Sequence, residues 1–356
     1  MQSPFKIFLS NLLTFSCFLS YSFIFSHLFA ADNDLYKLEF SKPEFITVST
    51  RDDFKIVGNP AKKEFVAPLP PNNDYQILNS FSCNKESLNI KEVSEYNRNV
   101  LLGNFATTNK IDSFKKNQLF MTYVMQFTRR KLVSSNESQD VKTLDDKALY
   151  LQSDDTLDWK SPDFRKWLQK NNLYKDKGES VFAFCNRIFK MLCDNGKYIY
   201  PPQCHWKASD IIKRRSIDIV GDCGVFSVLF VSICRANEIP ARMLSGRWVA
   251  DLKASKGLDA RNVKTHVYLE FFDSSVGWIP VDVASALLFG SPSDPFQFFG
   301  SDPKTPFLIL HFDSDLKFRF RDNQLRETQW LLFPYLHEMG SKWLVPGETH
   351  FMESSL

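Results

Sequence analysis

The spacing of hydrophobic positions changes partway along the chain. Between residues 31 and 155, apolar and polar residues alternate in short runs such as LYKLEFSKPEFITVST and NQLFMTYVMQFTRRKLVS. Alternation of this kind is typical of strands that bury one face. From about residue 156 the period becomes helical, so the pattern predicts a β-rich N-terminal region followed by a region of mixed structure. Between the two, the polar stretch at 134–147 predicts a surface loop or linker.

Two amphipathic helices are predicted where the helical period begins. The first follows Ser161, a good N-cap residue, with Pro162 in its first turn. The second runs through GESVFAFCNRIFKMLCDNG, where the apolar residues lie on one broad face and the pattern stops at Gly196. The following KYIY is predicted to be extended.

A third helix has a different pattern. In GDCGVFSVLFVSICRANEIP, apolar residues occupy most positions from Val225 to Ile233, which indicates a helix that is buried on nearly all sides. The helix is expected to end before Pro240, because proline cannot continue it. The strand-like runs that follow are ARMLSGRW, THVYLEFF and GWIPVDVA. A short turn separates the last two, as in a hairpin.

Composition narrows the class of protein. A chain of 356 residues with 44% hydrophobic and 24% charged residues can bury a sizeable core in one or two domains. The 44 basic and 41 acidic residues give a net charge of +3, and no long basic stripe is present. Nucleic acid is therefore not an expected partner. The sequence does not indicate the oligomeric state.

The first 30 residues have the features of a targeting segment. Lys6 is followed by a long uncharged, apolar run that ends in small residues at Ala30 and Ala31. This arrangement favours a cleaved export signal. The run is also long enough to remain as a membrane anchor, and lipidation at Cys17 is a weaker third alternative. All three predict an exported protein, whether periplasmic, bound to the cell envelope or secreted, with membrane attachment if the segment is retained.

Cysteine spacing argues against a disulfide scaffold or a zinc site. Six cysteines remain after the leader, at positions 83, 185, 193, 204, 223 and 234, and none forms a Cys-x-x-Cys pair. Cys185 and Cys193 share a predicted helix, where eight residues span roughly 12 Å, too far for a bridge. Cys193, Cys204 and His205 lack the paired spacing of structural zinc sites, so no metal is expected.

Cys223 has two competing interpretations. A cysteine in an apolar helix is usually an inert core residue, and Cys234 at the far end of this helix is interpreted in that way. Cys223, however, stands at the helix start, where unpaired N–H groups and the helix dipole favour a thiolate. Gly221 and Gly224 leave space on both sides of it. A nucleophile also requires a base and a group that orients the base.

The predicted hairpin supplies candidates for both groups. His266 opens the first strand, and Asp282 lies near the end of the second. A register that pairs Phe272 with Val276 would place His266 directly opposite Asp282, with Cβ atoms about 5 Å apart. The carboxylate could then orient the imidazole. Taken singly, His266 would more often be structural, and Asp282 could merely cap a turn.

The ordered set of motifs resembles a known family. GDCGVFSVLFVSICRANEIPARMLSGRW, followed by HVYLEFF and GWIPVDVA, is similar to the core of the transglutaminase-like superfamily. Its pattern is a Gly-x-Cys helix ending in Arg-Ala-x-x-Ile-Pro-Ala-Arg, a strand opening with His, and a Gly-Trp-x-Pro-x-Asp strand. The resemblance implies an α+β, papain-like fold, in which the Cys-bearing helix packs on an antiparallel sheet.

The resemblance also implies roles for individual residues. Cys223 would be the nucleophile, His266 the general base and acid, and Asp282 the orienting carboxylate. Gln203 or Trp206 could add a side-chain donor to the oxyanion hole, although the spacing does not choose between them. No cofactor is implied. Arg235 and Arg242 are expected to be structural residues that bond carbonyls or acids near the helix end.

The expected organisation has four parts, and two classes of function remain open. The segments are 1–30 (signal or anchor), 31–155 (β-rich), 156–325 (transglutaminase-like core) and 326–356 (a tail packed on the core). The leading hypothesis is thiol-dependent acyl transfer on protein or peptide amides, with hydrolysis by a peptidase or amidase ahead of crosslinking by a transglutaminase. The alternative is a non-catalytic binding or assembly protein of the cell envelope that retains the fold.

Overall fold

The structure is a computed structural model. It describes residues 35–54, 63–84, 88–93, 98–104, 118–137, 140–199, 207–213, 219–249, 265–290, 296–313, 315–319, 325–338, 344–346 and 348–355. The N-terminal segment 1–30, for which we expect an export signal or an anchor, lies outside these residues.

Strands fill the described part of the N-terminal region, as the alternating pattern predicts. They are β1 (Leu35–Phe40), β2 (Glu44–Asp53), β3 (Lys63–Pro68), β4 (Gln76–Cys83), β5 (Leu88–Val93), β6 (Arg98–Asn104), β7 (Gln118–Phe127) and β8 (Arg130–Ser135). β2 and β7 pair antiparallel along their full lengths, from Glu44 opposite Phe127 to Asp53 opposite Gln118. Ile46 and Val48 of β2 are buried, and the residues between them are more exposed, so one face of this sheet covers a core.

Within the described residues, five strands lie at the C-terminal end: β15 (Asp315–Arg319), β16 (Leu325–Gln329), β17 (Tyr335–Glu338), β18 (Leu344–Pro346) and β19 (Glu348–Ser355). β15 and β16 form a two-stranded sheet, whereas the other three join sheets of the N-terminal region. β17 pairs with β3, and β19 pairs with β2. We expected a tail packed on the core domain, and Trp330 does pack against that core. The strand pairings with the N-terminal region were missed, because pairing between distant strands leaves no local signal in the sequence.

A four-stranded antiparallel sheet forms the centre of the second half of the chain. The strands of this half are β9 (Gly196–Tyr198), β10 (Ile219–Gly221), β11 (Ala241–Trp248), β12 (Thr265–Asp273), β13 (Gly277–Val281) and β14 (Phe307–Phe312). The sheet order is β13-β12-β11-β14, and β9 pairs with β10 in a separate parallel pair. This arrangement confirms the predicted strand pattern and the mixed α+β class with its β-rich N-terminal region.

Helices cover one side of this sheet. They are α1 (Pro162–Lys170), α2 (Val181–Asn195), α3 (Ala208–Lys213), α4 (Cys223–Ala236) and α5 (Val283–Phe289), and a 3-10 turn spans Leu149–Leu151. Ser161 caps α1 by accepting a hydrogen bond from the backbone N–H of Phe164 at 3.3 Å. The start of α1 and the end of α2 agree with the sequence pattern, whereas α5 was not predicted.

α4 lies in the middle of the core. Phe226, Leu229, Phe230 and Ile233 are fully buried, because the helix is surrounded by α2, α5 and the sheet. On the sheet, alternate residues of β12 such as Leu269 belong to the same cluster. The all-round apolar pattern therefore has the expected result, a helix fixed by packing on nearly every side.

A buried ionic cluster joins the N-terminal region to this sheet. Glu270 of β12 accepts hydrogen bonds from Arg130 of β8 at 2.6 Å, from Arg242 of β11 at 2.5 Å and from the Tyr75 hydroxyl at 2.9 Å. Burial alone would raise the pKa of Glu270, but the two guanidinium groups hold it below its usual value. Asp302 pairs with the other side of Arg130 at 2.8 Å. β8 is thus held against β12 by fully paired charges.

Candidate active site

The local sequence fixes the start of α4 at Cys223. Asp222 is the N-cap, and its Oδ1 accepts a hydrogen bond from the N–H of Val225 at 3.1 Å. A Cβ on Gly221 would lie 2.5 Å from the Cβ of Val225, so only glycine permits this close entry into the helix. Cys223 is the first helical residue and is half-buried, in contrast to the fully buried residues that follow it.

His266 and Asp282 come together with a register different from the one we expected. Phe272 pairs with Trp278, and Leu269 pairs with Val281, so the turn comprises residues 274–276. The predicted pairing of Phe272 with Val276 is wrong by two residues. A shift of two keeps every side chain on the same face of the sheet, so His266 and Asp282 still point to one side. Asp282 reaches His266 from just beyond the end of β13.

Asp282 holds the His266 ring in one orientation. The Nε2 atom of His266 lies 2.8 Å from Oδ2 of Asp282, and both side chains are buried. Because Nε2 is occupied by the carboxylate, Nδ1 remains for the nucleophile. Cys223 also acts on this imidazole, since its sulfur is among the groups that raise the pKa of His266. His266 is therefore within interaction range of both Asp282 and Cys223.

The electrostatics of this chain favour an imidazolium. Burial opposes the charge on His266, but the charge and hydrogen bond of Asp282, together with the Cys223 sulfur, outweigh it and raise the pKa of His266 to about 10. Burial would also raise the pKa of Asp282. Its interactions with His266 and Ser285 dominate instead and lower the pKa of this carboxyl. Around neutral pH the pair is thus a carboxylate and an imidazolium.

Ser285 is part of the site, and the sequence analysis missed it. Asp282 is the N-cap of α5: its Oδ1 accepts the backbone N–H of Ser285 at 2.9 Å, and its Oδ2 accepts the Ser285 hydroxyl at 2.7 Å. Asp282 therefore caps α5 and contacts His266 at the same time. Asp is a favoured N-cap residue, and its place directly before the apolar run VASALLF is the signal that could have suggested α5.

Aromatic side chains surround the imidazole. The Trp248 ring stacks on His266 at 5.3 Å between centroids, and Tyr268 lies 6.3 Å away in a similar plane. The edge of Phe307 completes the enclosure at 6.0 Å. These rings restrict the imidazole to the orientation set by Asp282 and exclude water from it. They come from three different strands, so local sequence patterns do not bring them together.

The first turn of α4 offers hydrogen-bond donors. Within the described residues, the backbone N–H groups of Cys223 and Gly224 have no hydrogen-bond partner. Such groups can stabilise an oxyanion formed on a carbonyl that the adjacent sulfur attacks. Gln203 and Trp206, the predicted side-chain donors, lie outside the described residues, so their contribution remains a prediction.

The other cysteines were considered as disulfide partners or metal ligands. Cys83, Cys185, Cys193 and Cys234 are free thiols, as is Cys223. In the part of the chain that the structure describes, no three His, Cys, Asp or Glu side chains group closely enough to hold a metal ion. Cys204 and His205, considered for zinc, lie outside that part.

Arg235 lies at the other end of α4 and has a structural environment. Its guanidinium donates to the carbonyl oxygens of Ala241 and Gln152 and to the carboxylate of Asp313. Arg242 bonds Glu270 and the Tyr150 hydroxyl. Both arginines therefore bond carbonyls or acids, as the sequence analysis expected.

Comparison with known families identifies the class of this core. Residues 171–283, which include Cys223, His266 and Asp282, match the family model of the transglutaminase-like superfamily. The chain therefore carries a transglutaminase-like core, and the family predicted from the sequence motifs is confirmed. No curated protein matches the chain.

Several solved structures align with this chain at low sequence identity. A candidate cysteine protease from Cytophaga hutchinsonii aligns over 89% of this chain and 100% of its own, with 13% identity and a TM-score of 0.49. The periplasmic domain of TgpA from Pseudomonas aeruginosa aligns over 72% and 91%, with 11% identity and a TM-score of 0.34. Red sea bream transglutaminase aligns over 86% and 57%, with 10% identity and a TM-score of 0.30.

None of the helices in the described ranges is long and apolar enough to cross a bilayer.

Proposed function

We propose that this protein is a cysteine enzyme that transfers acyl groups from protein or peptide amides, with Cys223 as nucleophile, His266 as general acid and base, and Asp282 as orienting carboxylate. One observation carries the proposal. Asp282 binds Nε2 of His266 at 2.8 Å, and Cys223 at the start of α4 is near enough to raise the pKa of the same imidazole. Nucleophile, base and orienter are thus linked in the order that thiol catalysis requires.

The first half of the reaction forms a thioester. The Cys223 sulfur attacks the amide carbonyl carbon, and the negative charge that develops on oxygen is stabilised by the N–H groups of Cys223 and Gly224. His266, held as imidazolium by Asp282, gives its proton to the leaving nitrogen. The C–N bond then breaks, an amine departs, and the acyl group remains on sulfur.

The second half returns the enzyme to its starting state. Neutral His266 takes a proton from an incoming water or primary amine, which attacks the thioester. The C–S bond breaks, and the sulfur leaves as thiolate beside the regenerated imidazolium. Water gives a carboxylic acid, and an amine gives a new amide. We place hydrolysis ahead of crosslinking, and we propose an exported enzyme, because the uncharged N-terminal run resembles an export signal.

Selective alkylation tests the nucleophile. Iodoacetamide at near-neutral pH should modify Cys223 first, and the His266→Ala variant should lose this reactivity, because the imidazolium no longer stabilises a thiolate. Cys185 and Cys234 serve as internal controls. Both are fully buried, and burial together with the neighbouring Cys234 raises the pKa of Cys185 well above its ordinary value.

Peptide mapping by mass spectrometry assigns each modified residue. If Cys223 reacts no faster than the other described thiols in the folded protein, the enzyme hypothesis fails, and a non-catalytic binding role gains support. A second measurement separates the two outcomes of catalysis: glutamine-containing peptides are incubated with a primary amine. Amine adducts indicate crosslinking, whereas cleavage or deamidation indicates hydrolysis.

A further inference from the structure

Trp330, at the end of β16, lies against the first turn of α4. A Cβ built on Gly224 would lie 3.8 and 3.9 Å from Cζ2 and Cη2 of Trp330. A Cβ at these distances would make ordinary van der Waals contact, so the indole lies over Gly224, one residue from Cys223. The Trp330 side chain packs against the same core cluster as Cys223, and Trp330 is half-buried.

The backbone holds Trp330 in an unfavourable conformation. Its φ of 52° lies in the left-handed region, which bulky side chains avoid. The next two residues, Leu331 and Leu332, are buried, and the Leu332 carbonyl accepts a hydrogen bond from Nε of the buried Arg247 at 2.8 Å. These contacts fix the segment strongly enough to impose the strain. Strained residues of this kind cluster at functional sites.

Trp330 packs on the core but is not fully covered. Among the described residues, its indole N–H group makes no hydrogen bond. Trp330 is only half-buried, so part of the indole remains accessible beside a nucleophile. A rigid aromatic surface at such a place suits an apolar side chain.

We propose that Trp330 forms the wall of a substrate subsite, which binds an apolar side chain next to the amide that Cys223 attacks. This subsite rests on the proposed function, because it is defined by its distance from the nucleophile. It adds a substrate class, peptides with an apolar residue adjacent to the reacting amide. The position of the indole over Gly224 places this wall one residue from the nucleophile.

Two alkylating probes of different shape test this subsite without knowledge of the natural substrate. Iodoacetamide and N-benzyliodoacetamide carry the same reactive group, and only the second has an apolar ring. For each variant, the rate constant for alkylation of Cys223 by N-benzyliodoacetamide is divided by the rate constant for iodoacetamide. This ratio reports only the contact between the ring of the probe and an apolar surface of the protein. We expect Trp330→Ala to lower this ratio roughly tenfold, because it removes the aromatic surface. Trp330→Phe should retain most of the ratio.

Control variants keep each outcome decisive. Trp167→Ala removes a half-buried tryptophan of α1 that packs on the same core cluster, and it should leave the ratio unchanged. An unchanged ratio in Trp330→Ala would overturn the proposal. Equal losses in Trp330→Phe and Trp330→Ala would also overturn it, because the indole N–H and not an apolar surface would then make the contact. If iodoacetamide itself fails to react with Cys223 in the wild type, it is the proposed function that fails.

Should Trp330→Ala not fold, Gly224→Ala gives an independent measurement. The added methyl group would stand in van der Waals contact with the indole, 3.8 Å from Cζ2, and 3.3 Å from Oδ1 of Asp222. It would partly fill the space beside the nucleophile. We expect the benzyl probe to lose severalfold more rate than iodoacetamide, and equal losses for the two probes would contradict the subsite.

Discussion

The two ends of α4 each carry a cysteine, but their surroundings differ. At the N-terminal end, Cys223 is half-buried and contacts His266. At the C-terminal end, Cys234 is fully buried, and its sulfur lies 3.7 Å from the sulfur of Cys185. One helix therefore holds a thiol beside an imidazolium and a thiol enclosed in apolar core.

The polar groups at the two ends differ in the same way. At the C-terminal end, Arg235 donates to two carbonyl oxygens and to Asp313, and Asp313 also accepts the N–H of Met243. At the N-terminal end, the N–H groups of Cys223 and Gly224 have no partner within the described residues. A saturated end stabilises the fold, whereas unpaired donors beside a nucleophile can serve a reaction. Residue type alone does not make this distinction.

Removal of each thiol should give the largest contrast between the ends. Cys223→Ala should lower the rate of amide turnover by at least about 10³-fold, because no other described group can form the thioester. Cys234→Ala should keep the rate within a few-fold and lower the free energy of unfolding by about 1–2 kcal/mol through a small cavity. Steady-state turnover and urea unfolding measure the two effects. Comparable activity losses in both variants would contradict a catalytic role for Cys223 and a structural role for Cys234.

Arg235 should show the opposite behaviour. Arg235→Met removes the donor to Asp313 and to the Ala241 carbonyl, and both acceptors stay largely buried. Breaking one partner of a buried pair costs about 3–5 kcal/mol of unfolding free energy. Chemical denaturation measures this loss, and the Cys223 alkylation rate below the unfolding transition should remain near that of the wild type. A selective loss of alkylation without a loss of stability would assign Arg235 to the site.

The fold was largely predictable where the pattern is local. Ser161, Gly196 and Pro240 mark helix boundaries that the structure reproduces to within a few residues. The pairing of β17 with β3 was not predictable, since partners so distant in the chain leave no periodic signal. The hairpin register was predicted two residues away from the observed one, because a three-residue turn fits either position.

The site was predictable only as far as its motifs extend. Cys223, His266 and Asp282 stand in the sequence order of a known family, so they could be named from the sequence. Ser285 and Trp330 could not, because their contacts depend on a helix after Asp282 and on a strained segment far along the chain. Tertiary contacts of this kind follow from the packed structure and not from spacing.

His266 should make the stability of the folded protein depend on alkaline pH. Its pKa is raised from 6.5 to about 10, so the folded state holds a proton that the unfolded state releases between these values. The resulting stabilisation is complete below pH 6.5 and is lost as pH rises toward 10, at a slope of up to about 1.4 kcal/mol per pH unit. The pKa of Asp282 is lowered, so its contribution to stability is lost only as pH falls into the acid range and adds no slope between pH 6.5 and 10.

Urea unfolding at several values between pH 6 and pH 10 measures that slope. The His266→Gln variant should show a much flatter profile, because it has no group to bind the proton. Arg235→Met is a matched comparison, since its stability should be lower at every pH but fall with the wild-type slope. Parallel profiles for the wild type and His266→Gln would exclude the raised pKa of His266.

Ser285 should give the smallest effect, because it acts on catalysis only through Asp282. Ser285→Ala keeps the backbone N–H that Asp282 caps at 2.9 Å and removes only the hydroxyl that donates to Oδ2 at 2.7 Å. Loss of a hydrogen bond to a charged group costs about 1.5–3 kcal/mol at most, and water entering the space offsets part of it. We therefore expect turnover to fall about tenfold with little change in KM, since the imidazole is less firmly held. Ser285→Thr, which restores a hydroxyl, should recover much of the rate. Equal losses in both variants would mean that packing at position 285, and not the bond to Asp282, limits the reaction.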